Sequence, residues 1–327
     1  MTLTLKTPGP RSLPKWAKVP SGALLGLVLL LLFNLCFTDH FLSLQTLNIN
    51  MTQVSTIVIV AVGMTMVIAT GGIDLSVGSL MAISGALAPL IFGARTGLLA
   101  IPAIGMIVAI VLPILAASVG GVLNGTLVAR FRIQPIVATL ILFIAGRGVA
   151  QVLTNGNLQT FSHAGFRWLG LGKVLGIPFQ VLLMLAIVLV AAWVMRSTLF
   201  GRYILATGGN ERAARLAGIP VQRVKLAVYV ICGALSGLAG LLVIAINSSA
   251  DANLIGLGIE LDAIAAVAVG GTLLTGGRAR IVGTLVGALI IQLVRYTLLA
   301  HGVPDAAALV VKAGIILVAV YLQKREN

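Results

Sequence analysis

Residues 67–88 read VIATGGIDLSVGSLMAISGALA, two apolar segments joined by a Gly-Gly pair and one aspartate, Asp74. A glycine pair ends a helix and exposes backbone groups. In a bilayer, such groups persist only where other parts of the protein or a water-filled cavity satisfy them. The stretch therefore predicts two membrane helices with a functional break between them.

The rest of the chain has the same apolar character. Of its 327 residues, 59% are hydrophobic and 9% are charged, and the mean hydropathy is +1.12. Soluble domains carry about a quarter charged residues, and about 20 apolar residues cross a bilayer as a helix. The sequence predicts an all-α polytopic transmembrane bundle of about ten helices, at 21–37, 52–70, 75–92, 98–119 (or on to 129), 133–153, 176–195, 226–246, 258–273, 281–299 and 305–322.

The net charge of +14 reports the orientation of the chain in the membrane. Outside these helices, sixteen Lys and Arg residues fall on one side and three on the other. Basic residues accumulate on the cytoplasmic side, so both termini are predicted to be cytoplasmic and nucleic acid is not an expected partner. Residues 1–20 form a basic cytoplasmic tail, and residues 21–327 form the transmembrane domain in this prediction.

A second glycine-rich break indicates an internal duplication. Residues 266–290 read AVAVGGTLLTGGRARIVGTLVGALI, and both breaks follow a helix that runs from outside to inside. The Gly-Gly pairs are matched to each other in this prediction. Residues at the breaks are candidates for the translocation pathway: Gly71, Gly72, Asp74, Ser76, Gly270 and Gly271.

Asp74 allows two interpretations. An acidic residue at membrane depth is a functional candidate, because burying it without a partner is costly. Alternatively, its carboxylate accepts backbone N–H bonds near Val77 and caps the next helix, or lies at the cytoplasmic interface.

The longest cytoplasmic segment, residues 196–225, contains a predicted short helix. Asn210 is a plausible N-cap after two glycines, Glu211 lies in the first turn, and Gly218 followed by Pro220 ends the helix. So short an alanine-rich helix buries little surface of its own, which suggests docking against another protein. The alternative is an ordinary basic loop lying on anionic lipid headgroups.

Motifs for catalysis or metal binding are missing from the sequence. The chain has no GxxxxGK[ST] phosphate loop and no HExxH, and its acidic residues form no acid–base pair within a span. We therefore expect no catalytic residue, no metal site and no bound cofactor. Arg147 and Asp262 are predicted at similar depth and form a candidate structural ion pair, with a role in the transport pathway as the alternative.

Three stretches carry a family resemblance that extends over most of the chain. They are AVGMTMVIATGGIDLSVGS at 61–79, GGNERAARLAGI at 208–219 and ELDAIAAVAVGGTLLTGG at 260–277. They resemble the ribose/galactose-type ABC sugar transporter permeases. Residues 139–156 and 250–271 look most similar to the galactofuranose branch of that family.

The resemblance implies a permease subunit of an ATP-driven sugar importer in the bacterial inner membrane, and not an enzyme. The implied partners are a second permease subunit (a copy of this chain or a sister), ATPase subunits that use ATP and Mg, and a periplasmic sugar-binding protein that docks on loops 154–175 and 247–257. The residues implied to couple the chain to the ATPase are Gly209, Asn210, Glu211, Ala213, Ala214 and Gly218.

Two other classes are weighed against this one. An ion-coupled secondary transporter of a small polar solute would explain the internal repeat and Asp74, but such transporters usually carry more membrane-embedded acids. An intramembrane enzyme would need a nucleophile, a metal cluster or paired acids, and the sequence offers none of these.

Overall fold

A computed structural model describes residues 21–94, 101–304, 306–311, 313–315 and 317 of the chain. These residues form an all-α bundle with four two-residue strands. The helices are α1 (Ser21–Phe37), α2 (Leu44–Ala69), α3 (Val77–Gly93), α4 (Pro102–Ala129), α5 (Pro135–Thr154), α6 (Ala164–Leu171), α7 (Phe179–Ser197), α8 (Leu199–Gly209), α9 (Glu211–Leu216), α10 (Val221–Asn247), α11 (Ile259–Val269) and α12 (Ile281–Ala300).

The predicted all-α membrane bundle is confirmed. Nine of the predicted spans correspond to α1–α5, α7 and α10–α12, and within the described residues six helices are long and apolar enough to cross a membrane. The tenth predicted span, 305–322, lies partly outside the described residues, of which 306–311 and 313–315 are helical. The basic tail 1–20 lies outside the described residues as well.

Some helix ends differ from the prediction, for local reasons. Helix α2 begins at Leu44 rather than at 52, because the hydroxyl of Ser43 accepts a 3.1 Å hydrogen bond from the backbone N–H of Thr46 and caps the helix. Helix α4 takes the longer of the two predicted forms and ends at Ala129. Helix α11 ends at Val269 rather than at 273, because the chain turns at the glycines that follow.

Helix α2 forms the centre of the bundle. From Val54 to Ala69 every residue is buried, and the helix packs against α7, α10, α11 and α12. Helices α4, α5 and α7 lie at the periphery and expose large apolar side chains, including Val119, Ile144 and Leu189, each about two-thirds exposed. This distribution suits a protein surrounded by lipid, in which apolar side chains face outward as well as inward.

Small residues bring α4 and α10 into backbone contact. A Cβ atom added to Gly233 of α10 would lie 2.5 Å from the carbonyl oxygen of Ala117 in α4. Lipid provides no hydrophobic force between helices, so such close approach is how membrane helices gain packing energy.

The two ends of the bundle differ in charge. One end, here called the inner end, carries the basic residues Arg130, Arg132, Arg196, Arg202, Arg212, Arg215, Arg223, Lys225, Arg278 and Arg280. At the opposite, outer end, strand β1 (Gln159–Thr160) pairs antiparallel with β4 (Ser249–Ala250), and β2 (Lys173–Val174) pairs with β3 (Ile177–Pro178). The excess of basic residues predicts that the inner end faces the cytoplasm.

Candidate functional site

The two predicted breaks share one helix-ending geometry. Gly71 (φ 82°) and Gly271 (φ 80°) each adopt the left-handed conformation just after their helix. The next residues, Gly72 and Thr272, each donate a 3.2 Å hydrogen bond to the carbonyl five positions earlier. Both breaks are therefore Schellman caps, in which glycine supplies the positive φ and the last carbonyls of the helix are satisfied.

The predicted alignment of the two repeats was wrong by one residue. Gly71 corresponds to Gly271, and Gly72 corresponds to Thr272, because the left-handed position fixes the register. Gly270 precedes this position and belongs to the end of α11, so the two Gly-Gly pairs do not superimpose. The paired geometry supports the duplication itself, with α2–α3 and α11–α12 as the repeated units.

The two breaks meet at the inner end, and α8 joins them there. The N–H of Gly277 donates a 3.0 Å hydrogen bond to the carbonyl of Ala69, the last residue of α2. A Cβ atom on Gly208 of α8 would collide with that same carbonyl and lie 2.6 Å from the nitrogen of Gly277. A Cβ atom on Gly276 would lie 2.9 Å from the nitrogen of Gly71. We call Ala69, Gly71, Gly208, Gly276 and Gly277 the glycine junction.

Asp74 lies beside this junction and is completely buried. Its Oδ1 accepts hydrogen bonds from the backbone N–H (3.0 Å) and hydroxyl (2.6 Å) of Ser76 and from the Asn124 amide (3.3 Å). The carboxylate thus fixes the turn before α3 and joins it to α4 through Asn124. The N-cap position of α3 is Ser76, which makes no side-chain cap hydrogen bond, so Asp74 does not cap the first turn of α3 directly. Its role in the translocation pathway stays a prediction, as do those of Gly71, Gly72, Ser76, Gly270 and Gly271.

The predicted cytoplasmic helix is present as α9. Asn210 caps it, accepting a 3.0 Å hydrogen bond from the N–H of Ala213. Glu211 forms ion pairs with Arg215 of the same helix (2.6 Å) and with Lys225 of α10 (2.7 Å). The side chain of Ala214 is buried against the rest of the chain. These contacts fix the direction of a helix that is too short to be stable alone.

The opposite face of α9 is free of the bundle. Leu216 is 91% exposed, and Gly218 (φ 80°) ends the helix in open space. Partial burial alone would raise the pKa of Glu211, but hydrogen bonds from Lys225 and Arg215 lower this pKa below its ordinary value. Glu211 is therefore ionised at neutral pH and holds α9 against α10 through its ion pair with Lys225.

Arg147 anchors an outer loop from within α5. Its guanidinium donates hydrogen bonds of 2.9 Å and 2.5 Å to the carbonyls of Ala252 and Ile255. Neighbouring Gln151 donates 2.8 Å to the side chain of Asn253 in the same loop. These bonds tie the loop before α11 to α5, and the ion pair of Arg147 with Asp262 stays a prediction.

A cavity of about 330 Å³ opens at the outer end between α2, α3, α10, α11, α12 and the loop before α11. Its polar lining residues are Gln53, Thr56, Asn247, Asp262, Gln292 and Arg295. Apolar side chains such as Ile57 and Met81 form the remaining wall. The sequence prediction did not identify this cavity. Arg295 and the two glutamines within apolar spans were the available signal, because such residues at membrane depth usually serve function.

The histidines have local structural contacts. His163 accepts from the N–H of Phe166 at the start of α6, and His301 contacts the carbonyls of Thr297 and Phe37. Over the described residues, His, Cys, Asp and Glu side chains form no group of three that could hold a metal ion. The expectation that this chain binds no metal and no cofactor stays a prediction.

Comparison with known proteins gives a family and several relatives. Residues 46–320 match the family described as branched-chain amino acid transport system / permease component. The chain is 43% identical over 310 residues to the ribose import permease protein RbsC of Escherichia coli (strain K12), covering 93% of this chain and 94% of the relative. No solved structure matched the chain significantly.

Two further relatives are named for other sugars. The galactofuranose transporter permease protein YtfT of Escherichia coli (strain K12) is 41% identical over 270 residues, covering 82% of this chain and 76% of the relative. The L-arabinose ABC transporter permease protein AraH of Azospirillum brasilense is 34% identical over 314 residues, covering 95% of this chain and 90% of the relative.

Proposed function

Because the chain belongs to the family of transport-system permease components described above, we propose that it transports a monosaccharide and that movements of α8 and α9 drive this transport. It is a permease subunit of an ABC sugar importer, a transport subunit and not an enzyme. It lies in the bacterial inner membrane as a multi-pass protein.

The class of the transported molecule is inferred from the sugars for which the relatives are named. They are named for ribose, galactofuranose and L-arabinose, all of which are monosaccharides. The ribose and galactofuranose relatives are about equally similar to this chain, at 43% and 41% identity. Assignment to the galactofuranose branch therefore stays a prediction, and monosaccharide is the proposed cargo class.

The observation that carries the coupling proposal is the position of Gly208. It lies one helix before the exposed α9 and in backbone contact with both Ala69 and Gly277. A displacement of α9 by a partner would thus reach the end of α2 and the segment between α11 and α12, because the junction has no space to absorb it. Gly209, Asn210, Glu211, Ala213, Ala214 and Gly218 are proposed to shape and present this helix to the ATPase.

Members of this family work with ATPase subunits and a periplasmic binding protein. We propose that the ATPase docks on the exposed face of α9 and that the binding protein docks on the outer loops joined by β1 and β4. In this proposal ATP and Mg are bound by the ATPase. A second permease subunit, either a copy of this chain or a sister chain, completes the assembly.

The proposal is tested by purifying the importer in detergent from cells that express Glu211→Arg. Reversing this charge removes the ion pair with Lys225, which holds α9 against α10, and the pair with Arg215 within α9. We therefore expect the ATPase subunit to be lost from the purified complex and ATP-dependent sugar uptake to fall at least about tenfold. Arg130→Glu, a charge reversal on the inner end outside α9, is the matched control and should retain the ATPase.

Retention of the ATPase with full uptake in Glu211→Arg would contradict coupling through α9. A wild-type chain that purifies alone and transports sugar into liposomes without ATP would instead support a secondary transporter.

A further inference from the structure

The outer cavity has the size and chemistry of a small-molecule site. Its volume of about 330 Å³ lies at the lower end of the range of roughly 300–1,000 Å³ for ligand pockets. It lies between α2, α3, α10, α11, α12 and the loop before α11. The lining combines an apolar wall with a few convergent polar side chains, which is the usual composition of a ligand site.

The amide of Gln53 is held in one orientation. Gln292, which is 2% exposed, donates from Nε2 to the Oε1 of Gln53 at 2.6 Å and to the Oδ1 of Asn50 at 3.3 Å. Rotating the Gln292 amide by 180° would place its oxygen against two acceptors, so the bonds define its orientation. With its oxygen engaged, Gln53 retains its two N–H groups as hydrogen-bond donors. Gln292 is thus a positioning residue for Gln53.

The other polar groups complement those donors. Thr56 donates its hydroxyl hydrogen to the carbonyl of Gln53 (2.9 Å), which leaves the hydroxyl oxygen as an acceptor. The exposed Asn247 amide offers both a donor and an acceptor, Asp262 adds carboxylate oxygens, and Arg295 adds N–H donors. One carboxylate and one guanidinium carry no net charge together, which suits an uncharged ligand rich in hydroxyl groups.

We propose that this cavity is a monosaccharide-binding site, in which the sugar is held by Gln53, Thr56, Asn247, Asp262 and Arg295 after its release from the binding protein. The proposal rests on the proposed function, since it assigns the cargo of the same importer to a site. Among the described residues that line the cavity none is aromatic, so these residues offer the sugar no ring to stack on and bind it through hydrogen bonds. Such a site holds cargo weakly and releases it inward.

The first test uses the complete importer, with its ATPase and binding protein, reconstituted in liposomes. D-ribose, L-arabinose and D-galactose are compared first, and the sugar taken up fastest by the wild type is used. Gln53→Ala should lower uptake about fivefold at saturating loaded binding protein, the effect of one hydrogen bond. The ATP hydrolysed per sugar imported should rise, because unbound sugar escapes outward.

Gln45→Ala is the matched control. It removes the same exposed amide from the same helix, nearer the outer end and outside the cavity. Uptake by this variant should remain within about twofold of the wild type. Equal uptake and equal ATP consumption in Gln53→Ala and Gln45→Ala would overturn the proposed site while leaving the importer function intact. Absence of ATP-dependent sugar uptake by the wild-type importer would overturn the proposed function instead.

A second measurement does not depend on transport. Cys36 is exposed and Cys232 is buried, so Cys36→Ser removes the accessible thiol, and Leu257→Cys then places a single accessible thiol at the cavity without removing a proposed sugar-binding group. The transported sugar should slow the reaction of this thiol with a charged methanethiosulfonate reagent at least about threefold, since bound ligand excludes the reagent. Unchanged labelling would overturn the proposal. Protection by L-leucine in place of the sugar would overturn the ligand class.

Discussion

The glycine junction and the outer cavity lie at opposite ends of the same helices and are built in opposite ways. At the junction, backbone meets backbone with no space for a Cβ atom on Gly208 or Gly276. At the outer end, polar side chains surround about 330 Å³ of open space. Helix α2 runs unbroken from Gln53 at the cavity to Ala69 at the junction. This difference suggests that the glycine junction transmits movement and that the outer cavity holds the transported sugar.

We expect the largest loss of stability from a substitution at the glycine junction. Gly208→Ala would drive a methyl group into the carbonyl of Ala69, so we expect the free energy of unfolding to fall by about 3 kcal/mol. Gly209→Ala is the control, since nothing lies within 4 Å of a Cβ atom at this position. Thermal unfolding in detergent can be followed by labelling of the buried Cys232 thiol in a Cys36→Ser background.

If Gly208→Ala and Gly209→Ala unfold at the same temperature, the backbone contact between α8 and α2 is looser than the structure shows. Transport would then have to be coupled by another route.

Smaller losses of stability are expected from variants at the inner end that test the cost of a positive φ separately from steric crowding. Gly71→Ala and Gly271→Ala place a side chain in the left-handed region, which costs about 1–2 kcal/mol each. Gly218→Ala has nearly the same φ but open surroundings, so it measures the conformational cost alone. The same thermal assay applies to all three variants. Unequal losses at Gly71 and Gly271 would contradict the equivalence of the two breaks.

The smallest effect concerns pH and the attachment of α9. The pKa of Glu211 is lowered in the folded state, so the stabilisation from its ion pairs is fully present above the unfolded-state value of about 4.3. This stabilisation is lost as the pH falls through the lowered folded-state pKa. Hydrogen exchange at residues 211–217 should therefore be unchanged between pH 7 and pH 5.5, after correction for the intrinsic rate.

Glu211→Gln is the control for this pH dependence. It removes the negative charge at every pH, so exchange in α9 should be faster than in the wild type at pH 7 and the difference should shrink in acid. A difference that persists unchanged well below the lowered pKa would assign the stability of α9 to its other contacts, chiefly the cap at Asn210 and the buried Ala214.

Much of the fold follows from local sequence. Nine predicted spans are present, and the Gly-Gly pairs mark the ends of α2 and α11. Gly71 and Gly271 adopt a positive φ, and glycine is the residue that adopts it without steric cost, so the local sequence indicates these ends. The one-residue error in aligning the breaks shows the limit of this reasoning. The amino-acid sequence alone does not show which glycine of a pair adopts the left-handed conformation, since that depends on where the helix hydrogen bonds end.

The candidate sites also include features that the sequence predicted and features that only the structure showed. Helix α9, its cap at Asn210 and its end at Gly218 were readable from sequence, because capping and glycine stops act within a few residues. Asp74 was identified as a functional candidate with a cap or an interfacial position as the alternatives, but its burial and its bond to Asn124 depend on the packing of α3 against α4. The outer cavity was missed, because its lining comes from five helices and a loop that are far apart in the chain.

The sequence by itself determined that this chain crosses a membrane many times, where its helices break, which end carries the basic residues and where a short exposed helix lies. These properties depend on local composition, since a bilayer requires each apolar span to satisfy its own backbone. Only the tertiary structure decided that Gly208, Ala69 and Gly277 touch and that Gln53 and Gln292 share an outer cavity. Such contacts join residues more than 60 positions apart, and packing between helices, rather than any local preference, brings them together.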